Sequence, residues 1–307
     1  MKKVKVFAPG SIGNVGCGFD VFGLAIEAVG DVLEVEENNS GQLRIVDIHG
    51  DETIPRDPEK NIITVGASNL LLEYGSTQGF DFRITKDIIA GSGLGSSGSS
   101  ATAGVFAVNE LIGRPYSKQE LIKYAAVGEQ VASHQVHYDN VAPSMLGGFT
   151  VVRSSEPLEI LEVKVPDNLY LAMVRPNVVI KTEEAKQILG DTVSIDKAVK
   201  QFGNIAGLII GLQNDDISLI GRSVEDELAT PRRSKLIPKF DEARAAALAK
   251  GASGFNISGS GPAMFAICEG KATGEKVLDA LQEVYKDDKN ANFYLTQTDR
   301  LGTRVID

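Results

Sequence analysis

The chain contains an eleven-residue run, Gly91-Ser92-Gly93-Leu94-Gly95-Ser96-Ser97-Gly98-Ser99-Ser100-Ala101, made almost wholly of glycine and serine. Glycine lets a backbone approach a phosphate closely, and the N–H groups and positive dipole of a following helix attract it, so anion binding is the chemistry expected here. A flexible linker has a similar composition, but linkers rarely sit between a strand and a well-patterned amphipathic helix. Gly93 to Gly98 satisfies the GxGxxG dinucleotide pattern, yet a second helix follows where a compact βαβ unit would supply a strand and a ribose-binding acid. No Gly-Lys-Ser/Thr occurs anywhere, so the Walker lysine is missing as well. The expected phosphate site is of another type.

Other reactive side chains are sparse. His134 and His137 could join Asp139 around a metal, but three ligands without a fourth make a poor zinc set. Cys17 and Cys268 lie far apart, with neither metal spacing nor the density of a disulfide framework, and are expected as reduced thiols. Asn61 opens an apolar helical run and reads as its N-cap. Glu129, taken alone, reads as a solvated position on a helix.

The elements that must position these residues follow from periodicity. Strands are expected at Lys3 to Ala8, Asp31 to Glu36 and Leu43 to Ile48, with a Gly-rich stretch from Pro9-Gly10 to Gly18 between the first two. A polar loop over Gly50 to Lys60 reads as a surface excursion, followed by a helix from Asn61 to about Glu73. A strand from Phe80 to Ile89 feeds the Gly/Ser loop, and Ala101, Val105, Val108 and Ile112 then repeat at helical spacing. A capping box, Ser117 to Glu120, starts another helix, Val141-Ala142-Pro143 breaks regularity, and a strand resumes at Gly147 to Val152. Beyond a boundary placed near residue 166 the order is strand (Leu169 to Arg175), helices, strand (Gly254 to Ser258), strand (Ala263 to Glu269), helix and strand (Asn292 to Thr296). That is the split βαβ arrangement of ferredoxin-like domains, with an elaborated first crossover.

At 307 residues the chain accommodates two domains, expected as 1–166 and 167–307. A formal net charge of −10 disfavours nucleic acid and anionic membrane surfaces as partners. Proline interrupts the basic start before a signal-peptide core can form, and no run of about 18 apolar residues occurs, so a cytoplasmic location is expected.

Three segments in order, Ala8 to Asp20, Gly91 to Ala101 and Ile257 to Ala263, resemble the signature set of the galactokinase, homoserine kinase, mevalonate kinase and phosphomevalonate kinase (GHMP) superfamily. Within it, Asn14 to Asp20 and His137-Tyr138-Asp139-Asn140-Val141-Ala142-Pro143, followed by Gly147-Gly148-Phe149, resemble homoserine kinases. The resemblance implies an α+β fold of two domains, an N-terminal ribosomal-protein-S5-domain-2-like α/β domain and a C-terminal ferredoxin-like one. The implied reaction is ATP-dependent phosphorylation of the L-homoserine hydroxyl to O-phospho-L-homoserine, a step of threonine biosynthesis, by direct in-line transfer with Mg²⁺. A homodimer is left open.

Site residues carried by the resemblance fall into three groups. Asn61 corresponds to an adenine contact, and Ile89, Ala90, Gly91, Ser92, Gly93, Leu94, Gly95, Ser96, Ser97, Gly98 and Ser99 to the ATP loop, with Ile89 standing where the family usually has proline. Ser97 and Glu129 correspond to Mg²⁺ ligands, hard oxygen donors of the kind that ion requires. Asn14, Asp20, His137, Asp139, Asn140, Lys186 and Arg233 correspond to the amino-acid site, Lys186 replacing a usual arginine. Homoserine needs an acid for its ammonium, a cation for its carboxylate and a polar group at its hydroxyl. Asp20 or Asp139 could serve the first, Arg233 the second and Asn14 or Asn140 the third. Asn14, Asn140, Ser97 and Glu129 are the expected catalytic set. Other acceptors of the superfamily (mevalonate, shikimate or a sugar), or a noncatalytic sensor, are the competing readings.

Overall fold

The structure is a computed structural model and describes residues 2–133, 136–180, 185, 187–190 and 192–307; His134 and Lys186 lie outside the described residues. Among the described residues there are two sheets, one of seven strands and one of four.

The first sheet is organised by a long antiparallel pair, β1 (Lys3–Gly13) and β2 (Phe22–Asn38). β1 runs five residues beyond the strand expected to end at Ala8, because the register shifts at Pro9/Gly10. A proline at such an irregularity gives up no ladder hydrogen bond, so pairing resumes past it. β2 likewise begins well before the expected Asp31, at Phe22, in a segment whose glycines hid the alternation. Gly23 there has a purpose: a Cβ would fall 1.9 Å from the Asp139 carbonyl oxygen. β3 (Leu43–His49) pairs in parallel with β4 (Gly79–Thr85), and β5 (Phe149–Ser155) joins β2 to β6 (Leu158–Val163).

Four helices accompany this sheet: α1 (Ile62–Tyr74), α2 (Ser96–Leu111), α3 (Lys118–Ser133) and α4 (Tyr138–Leu146). Asn61 caps α1, its side chain accepting from the Ile63 amide at 2.9 Å. The capping box forms, with the Ser117 amide donating to Glu120 at 2.8 Å. α2 starts at Ser96, five residues before its apolar periodicity becomes visible, so Ser96 to Ser100 belong to the helix and not to a loop. α4 corrects the expectation that residues 141–143 break regularity, since Pro143 sits inside the helix. Its missing N–H frees the Asp139 carbonyl, and Gly23 of β2 packs against that carbonyl. Phe80, Phe82, Leu33 and Val35 from the strands meet Ile63, Leu70, Val105 and Tyr124 from the helices in one buried core.

The second sheet runs β10-β7-β9-β8, entirely antiparallel, from β7 (Leu169–Arg175), β8 (Gly254–Ile257), β9 (Met264–Glu269) and β10 (Asn292–Thr296). α5 (Ile195–Gln213), α6 (Ile217–Ser223) and the short α7 (Thr230–Arg233) elaborate the first crossover, which ends in α8 (Phe240–Ala249); α9 (Lys271–Val284) forms the second. This is the expected β, α, β, β, α, β order in ferredoxin-like arrangement. A shared core of Phe22, Leu24 and Phe149 with Leu171, Met173, Leu208 and Phe265 binds the two sheets together. A last strand, β11 (Arg304–Val305), returns to the first sheet beside β1. No helix among the described residues is long and apolar enough to cross a membrane.

Candidate active site

The loops between β1 and β2, between β4 and α2, before α4, and after β8 converge on one cavity of about 640 Å³. At one end the Gly/Ser segment turns into α2. Gly95 is the residue before the helix, at φ 70°, and a Cβ on it would lie 2.0 Å from the Ser11 hydroxyl, so a side chain is excluded both by conformation and by space. The turn after β8 braces this loop, as the Ser258 hydroxyl donates to the Gly93 carbonyl at 2.5 Å and the Ala263 amide to the Ser92 carbonyl at 3.0 Å. Ala90, Gly91, Ser92, Gly93, Gly95, Ser96 and Ser97 line the cavity with Asn61. Four of the expected ATP-loop residues do not: Ile89 is 47% exposed, Leu94 lies in the core, Gly98 packs on Asn140, and the Ser99 hydroxyl donates to the Ala8 carbonyl. Both polar atoms of Asn61 already have partners, the Ile63 amide and the Pro55 carbonyl.

Ser97, in the first turn of α2, donates to Glu129 of α3 at 2.9 Å. Glu129 is 1% exposed, so the solvated-face reading of it does not hold. Its carboxylate also accepts from the His137 backbone amide at 3.1 Å and faces the His137 ring nitrogen at 3.4 Å. That contact raises the imidazole pKa above its ordinary value. A hydroxyl and a buried carboxylate at the mouth of a helix N-terminus form a hard-oxygen pair suited to Mg²⁺.

Two features of this end escaped sequence reasoning. Lys86, just after β4, is buried with Asp31 as an ion pair, and its ammonium donates to the Ser96 carbonyl and the Ser100 hydroxyl, both at 2.8 Å. The pair anchors the start of α2, and Lys86 also reaches the cavity wall. A cation at the end of a strand that feeds a Gly-rich turn was the available signal. The Gly50 to Lys60 loop is a surface excursion, as expected, and it also brings Asp51, Thr53, Ile54 and Pro55 to the cavity.

The opposite end is charged. Asn14 and Asp20 both sit at positive φ, 65° and 54°, a conformation that small polar side chains tolerate. Asn14 is occupied: its amide oxygen accepts from the Asp20 backbone at 2.9 Å and its nitrogen donates to the Gly259 carbonyl at 2.9 Å. Asp139, in the first turn of α4, is 2% exposed; one oxygen accepts from the Asn14 amide at 3.1 Å, and the other is buried without a hydrogen bond. Burial first, then the charge of Asp20, push its carboxyl up to about 7, against the pull of His137. The Asn140 side chain accepts from the Ser11 hydroxyl at 3.0 Å.

Arg233 of α7 enters from the crossover that joins β7 to β8. Its guanidinium donates to the carbonyls of Ala185 and Gly259, at 3.2 and 3.1 Å, and lies 5.5 Å from the centre of the Phe19 ring. Burial lowers its pKa while Asp20, Asp226 and Asp139 act in the opposite sense, and an arginine stays charged in such a setting. The structure therefore brings Asn14, Asp20, His137, Asp139, Asn140 and Arg233 together in the lining of the same cavity. An unpartnered buried carboxylate oxygen and a fixed guanidinium that line one cavity with a phosphate-type loop suit a small zwitterion.

A ferredoxin-like second sheet, a Gly/Ser turn opening onto a helix and a brace from the turn after β8 together define a GHMP kinase. Residues 61–148 match the family described as GHMP kinases N terminal domain, and residues 208–287 the one described as GHMP kinases C terminal. Over 320 residues the chain is 40% identical to a homoserine kinase of Chlorobium phaeobacteroides, covering 100% of both chains. It is also 40% identical over 302 residues to a homoserine kinase of Pyrococcus abyssi, covering 98% of each. The crystal structure of homoserine kinase from Cytophaga hutchinsonii matches with a TM-score of 0.97 at 40% identity, over 100% of this chain and 98% of that one. The chain belongs to the homoserine kinase family.

Proposed function

We propose that the protein transfers the γ-phosphoryl group of ATP to the side-chain hydroxyl of L-homoserine, giving O-phospho-L-homoserine and ADP, as a step toward threonine. The observation that carries this reading is that the Ser97–Glu129 pair and the Asp20, Asp139 and Arg233 cluster open onto the same cavity. Transfer of this kind asks mainly for positioning and charge neutralisation. The amides of the Gly91 to Ser97 segment and the α2 N-terminus hold the phosphates, and Asn61 with the Pro55 loop borders the adenine. Ser97 and Glu129 would hold Mg²⁺, which when bound offsets phosphate charge. Asp139 and Asp20 hold the substrate ammonium, Arg233 its carboxylate, and Asn140 orients the hydroxyl. Asn14 acts by fixing Asp20 and the Gly259 turn, since its own amide is already engaged. No dedicated base is assigned.

The residue ranges 1–166 and 167–307 are proposed as the two domains; separate sheets built from β1–β6 and from β7–β10 support this, with β11 returning to the first. The cytoplasm is the proposed compartment, in keeping with two buried free cysteines. The test is an ADP-release assay across homoserine, mevalonate, shikimate and a sugar. Homoserine is expected to dominate, and shikimate or mevalonate outcompeting it sinks the reading.

A further inference from the structure

A carboxylate outside the cavity holds the acceptor end from behind. Asp226, 7% exposed, lies between α6 and α7, and all of its acceptor sites are filled by donors. One oxygen accepts from the Leu228 amide and from Gln201, both at 2.9 Å; the other accepts from the amides of Ala229 at 2.9 Å and Thr230 at 2.6 Å. These three amides lead into α7, and the Arg233 amide in turn donates to the Ala229 carbonyl at 2.9 Å. Gln201, buried on α5, completes the link: the same nitrogen that reaches Asp226 donates at 2.6 Å to the carbonyl of Cys17, midway between Asn14 and Asp20. Its oxygen accepts from the Glu227 amide at 2.8 Å.

We propose that Asp226, acting through Gln201 and α7, is a positioning residue that fixes the Asn14–Asp20 loop and Arg233 in one relative placement for acceptor recognition. The inference rests on the reading of Asp20 and Arg233 as partners of the homoserine ammonium and carboxylate. Asp20 lies in the loop between β1 and β2 and Arg233 on α7, so a substrate a few bonds long is gripped only if the spacing between them is set. At the cavity the Gly259 carbonyl ties them, by accepting from both Asn14 and Arg233. Behind it, Asp226 and Gln201 form the second tie, and two ties remove the hinge that one would leave. The chemistry selects a carboxylate, because an asparagine would turn its own donor toward an amide. The Asp226 charge also favours the charged form of the Arg233 guanidinium.

The test is steady-state kinetics on the full chain for Asp226→Asn, Gln201→Met and Arg233→Met, with Tm measured for each. Asp226→Asn is expected to raise the homoserine KM about tenfold or more, since small misplacements of a binding group are costly, while the ATP KM stays within about twofold. Gln201→Met should shift the homoserine KM in the same direction by less, and it decides the matter if Asp226→Asn does not fold. A lowered Tm with homoserine KM unchanged, or both KM values rising together, overturns the positioning role. Arg233→Met with an unchanged homoserine KM instead removes the acceptor reading, and this inference with it.

Discussion

The two ends of the cavity are built in opposite ways. The proposed phosphate end centres on one continuous stretch, Ala90 to Ser100, whose offering is backbone amides and a helix N-terminus, braced from behind by the Lys86–Asp31 pair and the Ser258 turn. The proposed acceptor end is assembled from four separate segments, and its offering is charged side chains: Asp20, Asp139 and Arg233. A multiply charged, spread-out anion is satisfied by many weak donors, so a local backbone motif suffices. A small zwitterion has to be met by a few opposed charges at fixed spacing, which demands long-range assembly.

The largest expected effect removes Glu129, the carboxylate that contacts both Ser97 and His137. Glu129→Ala should lower turnover about 10³-fold, as losses of preorganised charge at a transferring phosphoryl group do, and ADP release by the purified variant measures it. If turnover survives, the Ser97–Glu129 pair has no part in the chemistry and the contrast between the ends loses its link. Next comes Arg233→Met, with a rise of about 100-fold in homoserine KM and little change for ATP, in line with the loss of one partner of a buried charge pair.

Asp139→Asn separates binding from turnover at the acceptor end. Homoserine KM should rise about tenfold, more than kcat falls; a selective collapse of kcat would assign Asp139 a proton-transfer role instead. The same variant has a stability signature. The Asp139 carboxyl holds its proton up to about 7 in the folded protein, against an ordinary 3.8. Between those values the folded state binds a proton that the unfolded chain releases, so this group's contribution to stability falls as pH rises through the window. Asp139→Asn is therefore expected to melt higher than the parent at pH 8 by a margin that shrinks toward pH 4. In the parent, homoserine KM should rise as pH drops below about 7, and the variant should flatten that rise. The smallest effect is at the phosphate end, where Asn61→Ala should cost about 1 kcal/mol through the lost N-cap and raise the ATP KM only a few-fold.

The same contrast explains what was legible in the sequence. The Gly/Ser segment announced itself because its function is local composition, and the ferredoxin-like order followed from periodicity in β7, β8, β9 and β10. The Asn61 cap and the Ser117 box were readable because capping needs only neighbours two or three residues away. α4 was missed because Pro143 is a helix breaker by propensity, and only the fit of Gly23 against the freed carbonyl makes its place tolerable. Lys86 and Asp31 gave no sign of each other at 55 positions' separation. Resemblance named Asp20, Asp139 and Arg233, but nothing in their spacing revealed that Asn14 is spent on holding the loop while Asp139 keeps a bare oxygen.

The carbonyl of Gly259 accepts from both Asn14 and Arg233, and so belongs to each half of the proposed acceptor grip. Point mutation rewrites side chains and leaves main-chain oxygens in place. Selection can thus exchange the residues that read the substrate, one at a time, against a reference point that no codon change deletes. A lineage exploring new alcohols on this scaffold would keep its origin of coordinates while altering everything measured from it.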